Sequence, residues 1–177
     1  MKATGIVRRI DDLGRVVIPK EIRRTLRIKD GDALEIYIED GAVIYKKYYP
    51  MDNLASLAAQ YAEVLHNMSV HAVLITDRDH IVTACGVSKR DYLERRITYD
   101  LEYVLECRKI YQYQGDHLLH PVEGLSTIAS YVQPIISRGE LYGSVILLSD
   151  DKNRTPSEID MKLTQQVAAL LGRQLDE

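Results

Sequence analysis

Along its first forty-eight residues the chain alternates short apolar runs with turn-forming residues: TGIVRRI, DDLG, RVVIP, KEIRRTLRI, KDGD, ALEIYIED, Gly41 and AVIYKKY. Runs of this length punctuated by Gly, Asp and Pro predict strand, turn, strand, one short helix, turn, strand, turn, strand. Pro19 suits a first helical turn, where its missing N–H costs nothing, and KDGD supplies a turn after Ile28. Within the helix Ile22 and Leu26 share one face, leaving Arg23, Arg24 and Arg27 on the others. The strands carry apolar side chains on both faces (Ile6 and Val7, then Val16, Val17 and Ile18) and so ask for cover on both sides. About fifty residues bury too little surface to stand securely alone, and a two-fold dimer sharing one core answers both needs.

Tyr49 to Asp52, with Pro50, forms a boundary, giving an expected first domain over 1–50 and a second over 51–177. The second opens on a helix over 53–68 with Leu54, Leu57, Ala58, Tyr61, Val64, Leu65 and Met68 spaced by three and four. Two strands follow at 71–79 and 80–88, a helix at 89–110, a loop through Gly124, and two more strands at 126–137 and 141–149. A final helix over 156–175 is signalled by Thr155, Pro156 and Glu158 as a capping box, and carries the stripe Ile159, Leu163, Val167, Leu170, Leu171 and Leu175. Helix, strands, helix, strands, helix is an α+β pattern with an antiparallel sheet. Both terminal helices present apolar stripes that suit packing between subunits as well as onto a sheet.

Charge sharpens this picture. The 177 residues carry a net charge of −3, yet residues 1–29 hold nine basic side chains against three acidic ones, and six of the nine are arginine. One basic segment on an otherwise acidic chain marks a module that meets a polyanion. Guanidinium forks bind phosphate and guanine edges bidentately and stay charged at any physiological pH. The competing reading is that some of these arginines pair with Asp11, Asp12 or Glu21 and only position loops. No apolar run approaches the length of a membrane span, and MKATGIVRRI lacks the apolar core of a secretion signal, so a cytoplasmic location is expected.

Other chemistry is sparse. Cys85 and Cys107 are too few for a disulfide framework and read as small buried or half-buried residues. His117 and His120 lack companion ligands, and Gly115 and Pro121 argue against a helix aligning them, so neither metal nor cofactor is expected. Asp77 with Asp79, and Asp150 with Asp151, end apolar strands and read as solvated turn residues rather than catalytic pairs. No phosphate loop, nucleophile elbow or HExxH pattern occurs, so the chain is not expected to be an enzyme. Twelve tyrosines without Phe or Trp have no physical account.

The segment MKATGIVRRIDDLGRVVIPKEIRRTLRIKDGDALEIYIEDG closely resembles the DNA-binding domain of the AbrB family, the swapped-hairpin transition-state regulators of spore-forming bacteria. The order of elements in the second part is similar to a GAF domain, a fold used by many ligand sensors. The resemblance implies that Arg8, Arg15, Arg23 and Arg24 contact double-stranded DNA, with Arg9, Lys2 and Lys20 as auxiliary contacts. It implies DNA recognition by shape more than by strict base sequence. If six to eight arginines of a dimer meet phosphates, log K falls against log salt with a slope of roughly −5 to −7. It further implies a homodimer through the first domain, a homotetramer through the second, an unidentified small-molecule ligand, and work on sporulation genes in the forespore. Two rivals stand beside this reading. One is an antitoxin of the MazE type, which shares the swapped-hairpin domain and binds a toxin through its C-terminal part. The other is a GAF-type enzyme that reduces methionine sulfoxide with cysteines.

Overall fold

The computed structural model describes residues 4–115, 117–149 and 155–175, and the chain divides between Tyr48 and Tyr49 into two compact units. The first holds the helix α1 (Lys20–Thr25) and the strands β1 (Leu34–Glu39) and β2 (Ala42–Lys47). β1 and β2 pair antiparallel from Leu34↔Lys47 to Glu39↔Ala42. The connection is Asp40-Gly41, both at positive φ (48° and 74°), the conformation whose twist suits a two-residue hairpin. α1 ends a turn earlier than the sequence suggests. Arg27 adopts φ 52°, its N–H donates to Arg24 O, and the N–H of Ile28 donates to Arg23 O, so a left-handed residue closes the helix before KDGD is reached.

The predicted strands at TGIVRRI and RVVIP are absent from the described chain, which runs there without regular structure around a turn over residues 12–14. The reason is exposure: Val7 and Val17 are 84% and 71% accessible, and no neighbouring strand within the chain offers them a ladder. Ile36, Ile38, Val43 and Tyr45 of the hairpin are exposed too. Taken as whole residues, Pro19 alone is buried among the described residues of this unit, though a few polar side chains are covered.

The second unit begins with a 3₁₀ turn (Pro50–Leu54) and contains α2 (Ala55–Ser69), β3 (Val73–Thr76), β4 (Ile81–Cys85), α3 (Lys89–Tyr92), α4 (Tyr99–Glu106), β5 (Tyr111–Gln112), β6 (Ala129–Ser137), β7 (Glu140–Leu148) and α5 (Glu158–Gln174). Its antiparallel sheet has the order β4-β3-β7-β6-β5 and is covered on both faces. Side-chain alternation along β3 shows how: Val73 and Ile75 join Ala58, Ala62 and Leu65 of α2 and Ala168 and Leu171 of α5, while Leu74 joins Leu101 and Leu105 of α4 on the other face. At the centre Thr76 Oγ1 lies 2.8 Å from Ser144 Oγ, and Gly143 packs so closely that a Cβ there would stand 1.9 Å from Thr76 O.

Three details depart from the sequence reading. The single helix at 89–110 is two, because Glu94 (φ 60°) turns the chain and residues 94–97 hydrogen-bond to Ile81 and Asp79 at the edge of β4. Thr98 then starts α4 by accepting from Leu101 N. The cap of α5 is Ser157 with Asp160, not Thr155 with Glu158: Ser157 Oγ accepts from Asp160 N and Asp160 Oδ2 accepts from Ser157 N at 2.8 Å. The apolar stripes are also wider than the buried faces. α2 buries Ala58, Ala62, Leu65 and Ser69 and exposes Val64 and Met68, while α5 buries Thr164, Ala168, Leu171 and Gly172 and exposes Ile159 and Leu170.

Candidate nucleic-acid interface

The basic side chains of the first unit fall into two groups. Arg8, Arg9 and Arg15 flank the turn over residues 12–14, and Lys20, Arg23 and Arg24 belong to α1. Lys2 lies outside the described residues. Arg8, Arg9, Arg15, Lys20 and Arg24 are exposed, and Arg23 is partly covered. Among the described residues no side-chain hydrogen bond or ion pair joins one group to the other, so the two stand as separate basic clusters on this chain.

The turn is organised by one carboxylate. Asp11 Oδ1 accepts from the backbone N–H of Leu13 (3.0 Å) and of Arg15 (2.7 Å), while Oδ2 accepts from Arg15 Nε at 2.8 Å. The backbone N–H of Arg15, then its guanidinium, hold this carboxyl below its ordinary range. The arginine is thereby aimed by its own turn. In α1, Arg23 Nη1 donates to Asp30 Oδ1 at 2.8 Å, and its Nε is buried without an acceptor among the described residues. Arg8 Nη1 donates to Val7 O. Two of the four arginines expected at DNA are therefore ion-paired in the chain, one with Asp11 as the competing reading allowed and one with Asp30. These pairs are solvent-facing and weakly held, so a phosphate can replace the carboxylate.

Sequence reasoning missed a support beneath this surface. Lys47 Nζ lies 3.2 Å from Asp32 Oδ2 and donates to Arg27 O, and Asp32 Oδ2 also accepts from Lys29 N. The Lys47 and Asp32 side chains are only 11% and 3% exposed. A buried pair of this kind fixes the loop 27–32 to the end of β2, so the residues carrying Asp30 and the close of α1 have a fixed footing. KDGD gives only a turn signal; its pairing with Lys47 has no local trace.

In the second unit, Asp77 and Asp79 are not solvated turn residues. They are 4% and 5% exposed, and Asp77 Oδ1 accepts from the N–H groups of Asp79 and His80 at 2.6 Å. Burial pushes the Asp77 carboxyl up to about 6, the two N–H donors oppose this, and the carboxylates of Asp79 and Asp52 add to the rise. Asp150 and Asp151 lie outside the described residues. Cys85 is half-buried on β4, whereas Cys107 is exposed after α4, contrary to the expectation of burial. His117 is exposed and accepts through its carbonyl from Tyr111, and His120 Nδ1 lies 3.1 Å from Thr127 O. Among the described residues no helix is long and apolar enough to cross a membrane.

Comparison with known proteins places both units. Residues 53–176 match the family described as stage V sporulation protein T C-terminal, transcription factor, and residues 7–50 match antidote-toxin recognition MazE, bacterial antitoxin. The chain is 46% identical over 180 residues to stage V sporulation protein T of Bacillus subtilis (strain 168), covering the whole of both. Over 50 residues, 28% of this chain and 52% of the relative, it is 66% identical to the transition state regulatory protein AbrB of the same organism. A GAF domain/HD domain protein from Geobacter sulfurreducens matches 73% of this chain and 93% of its own at a TM-score of 0.52 and 15% identity, a likeness of fold alone. The second unit thus has a GAF-like α+β fold.

Proposed function

Because the chain belongs to the stage V sporulation protein T family, we propose that it is a DNA-binding transcription regulator of sporulation, gripping duplex DNA with arginines of an interlaced dimer. The observation that carries the reading is a first unit with cationic side chains outside and almost no apolar interior: Arg8, Arg15, Arg23 and Arg24 are displayed while its apolar residues stay uncovered. A second copy supplies the missing cover and doubles the arginine set. Arg8, Arg15, Arg23 and Arg24 are assigned to the DNA, with Arg9, Lys20 and Lys2 as auxiliary contacts. On this reading residues 1–50 form the DNA-binding domain and 51–177 the second domain, which assembles dimers into a tetramer through α2 and α5 and binds a small molecule. It acts in the cytoplasm of the forespore and is not an enzyme.

Duplex titration of the full chain at two salt concentrations tests this. Arg15→Ala and Arg23→Ala each weaken binding and make the salt slope shallower by about one for every phosphate left unneutralised. Unchanged affinity in both variants overturns the assignment. The antitoxin reading has the match of residues 7–50 in its favour, but the regulator reading also accounts for the match over residues 53–176, and co-purification of a small toxin is the result that would reverse the choice. The redox reading requires turnover of a methionine sulfoxide that Cys85→Ser or Cys107→Ser abolishes.

A further inference from the structure

The second unit contains a cavity of about 420 Å³ lined by Tyr49, Asp52, Ala55, Asp77, His80, Ile81, Val82 and Glu94. Its walls are of two kinds. Val82, Ala55 and the ring of Tyr49 form an apolar side, and Asp52, Asp77 and Glu94 bring carboxylates to the same space. Tyr49 and His80 meet edge to face, with ring centroids 5.7 Å apart, which fixes both rings.

Asp77 is the group that calls for a ligand. Its side chain is only 6% exposed, and Oδ1 is fully engaged by the N–H groups of Asp79 and His80. Oδ2 accepts no hydrogen bond among the described residues, although this carboxylate lines the cavity. Asp79 is differently placed, since Tyr49 donates its hydroxyl to it. This carboxylate is largely buried and its Oδ2 opens on the cavity, where a cationic or donating group can meet it. Burial, and then the neighbouring charges of Asp79 and Asp52, raise the Asp77 carboxyl.

The ligand's chemistry follows from the walls. Among the described residues no three His, Cys, Asp or Glu side chains converge to chelate a metal ion. Apolar surface facing carboxylates suits a cation carried on a short hydrocarbon chain. We propose that this cavity binds a small organic cation, an alkylammonium or alkylguanidinium, with its charged end on Asp77 Oδ2 and its alkyl chain against Val82 and Ala55. The proposal gives a chemical class to the small-molecule reading of the second unit and rests on that reading.

The full-length protein is titrated with n-butylamine and n-butylguanidine, and with n-butanol and butyrate as neutral and anionic counterparts. Calorimetry gives the affinity, and the amide resonances of Asp79 and His80, whose N–H groups sit on Asp77, report the place. Either cation binds and shifts those amides, while butanol and butyrate do not. Asp77→Asn, which keeps the acceptor for the two N–H groups and removes the charge, weakens the cation by about tenfold or more. Asp52→Asn, at an exposed lining position, weakens it by a few-fold and serves if the first variant misfolds. Failure of both cations to bind, binding indifferent to both substitutions, or preference for butyrate overturns the proposal. In the last case the small-molecule reading survives with another ligand class, and DNA titration of Asp77→Asn remains a separate measure of the regulator reading.

Discussion

Single residues decide more here than their sequence signals suggest. Asp77 reads as an ordinary turn carboxylate because a short apolar run followed by Asp-Arg-Asp is what strand ends look like; burial, which the sequence does not state, changes its meaning. Its carboxyl, raised to about 6 in the fold, binds a proton more readily there than in the unfolded chain, where it has its ordinary value of 3.8. Folding is therefore favoured by the protonated form, and this residue's contribution declines as pH rises from about 4 through 6. Asp77→Asn removes the dependence, so the variant gains on the wild type by up to about 3 kcal/mol between pH 4 and pH 7.5. Urea unfolding at both pH values measures the gap, and an equal gap at each would show that the carboxyl is not perturbed. The cationic chemistry of the arginines is stated by their residue type. Their partners are stated less fully: Asp11 lies among the anticipated ones, but Asp30 is seven residues from Arg23 and pairs with it only once the loop has closed.

Elements are legible where local chemistry fixes them and blurred where tertiary contacts do. In the second unit the long elements α2, β6, β7 and α5 and the shorter β3 and β4 stand within a few residues of their expected places. The break between α3 and α4 is hidden because residues 94–97 leave the helix to pair with the edge of β4, a long-range choice. β5, two residues long, escapes the sequence for a similar reason: its partner is β6. At the start of α5 two overlapping signals compete, Thr155-Pro156 and Ser157 with Asp160, and the second makes both reciprocal bonds. Ser157→Ala accordingly lowers stability by about 1 kcal/mol in urea, whereas Thr155→Ala leaves it unchanged within error. The reverse order would restore the first cap. The exposed sides of α2 and α5 are the candidates for subunit contact: on the proposal of a tetramer, Met68→Asp together with Ile159→Asp reduces the native mass to that of a dimer without loss of duplex binding, as light scattering and titration can show. An unchanged mass in the double variant would overturn that assignment.

At the scale of the whole molecule, each unit is stabilised in its own way. The second has two hydrophobic clusters, one on each face of a five-stranded sheet. The first has a hairpin, a short helix and a buried Lys47–Asp32 pair, yet its Ile6, Val7, Val17, Ile36 and Ile38 remain in water. A dimeric head is the expectation from that imbalance, since two-sided apolar strands are visible as a pattern; the strands themselves do not form in the single chain because a ladder needs a partner. A fragment of residues 1–50 therefore loses secondary structure on dilution, with a midpoint that moves with protein concentration. Residues 49–177 carrying Met68→Asp and Ile159→Asp unfold at a midpoint independent of concentration. Circular dichroism over a hundredfold dilution series distinguishes the two, and a head that keeps its signal throughout would mean that it folds alone.

The uncovered apolar surface of the head also sets a rule for dosage. Where folding of the head and meeting a twin are one event, scarce chains exist chiefly as unpaired heads open to proteolysis, and the population able to hold DNA grows with the square of expression. On that condition halving synthesis quarters the working pool in the dilute limit, and unsheltered valines and isoleucines alone would make DNA occupancy steeper than expression.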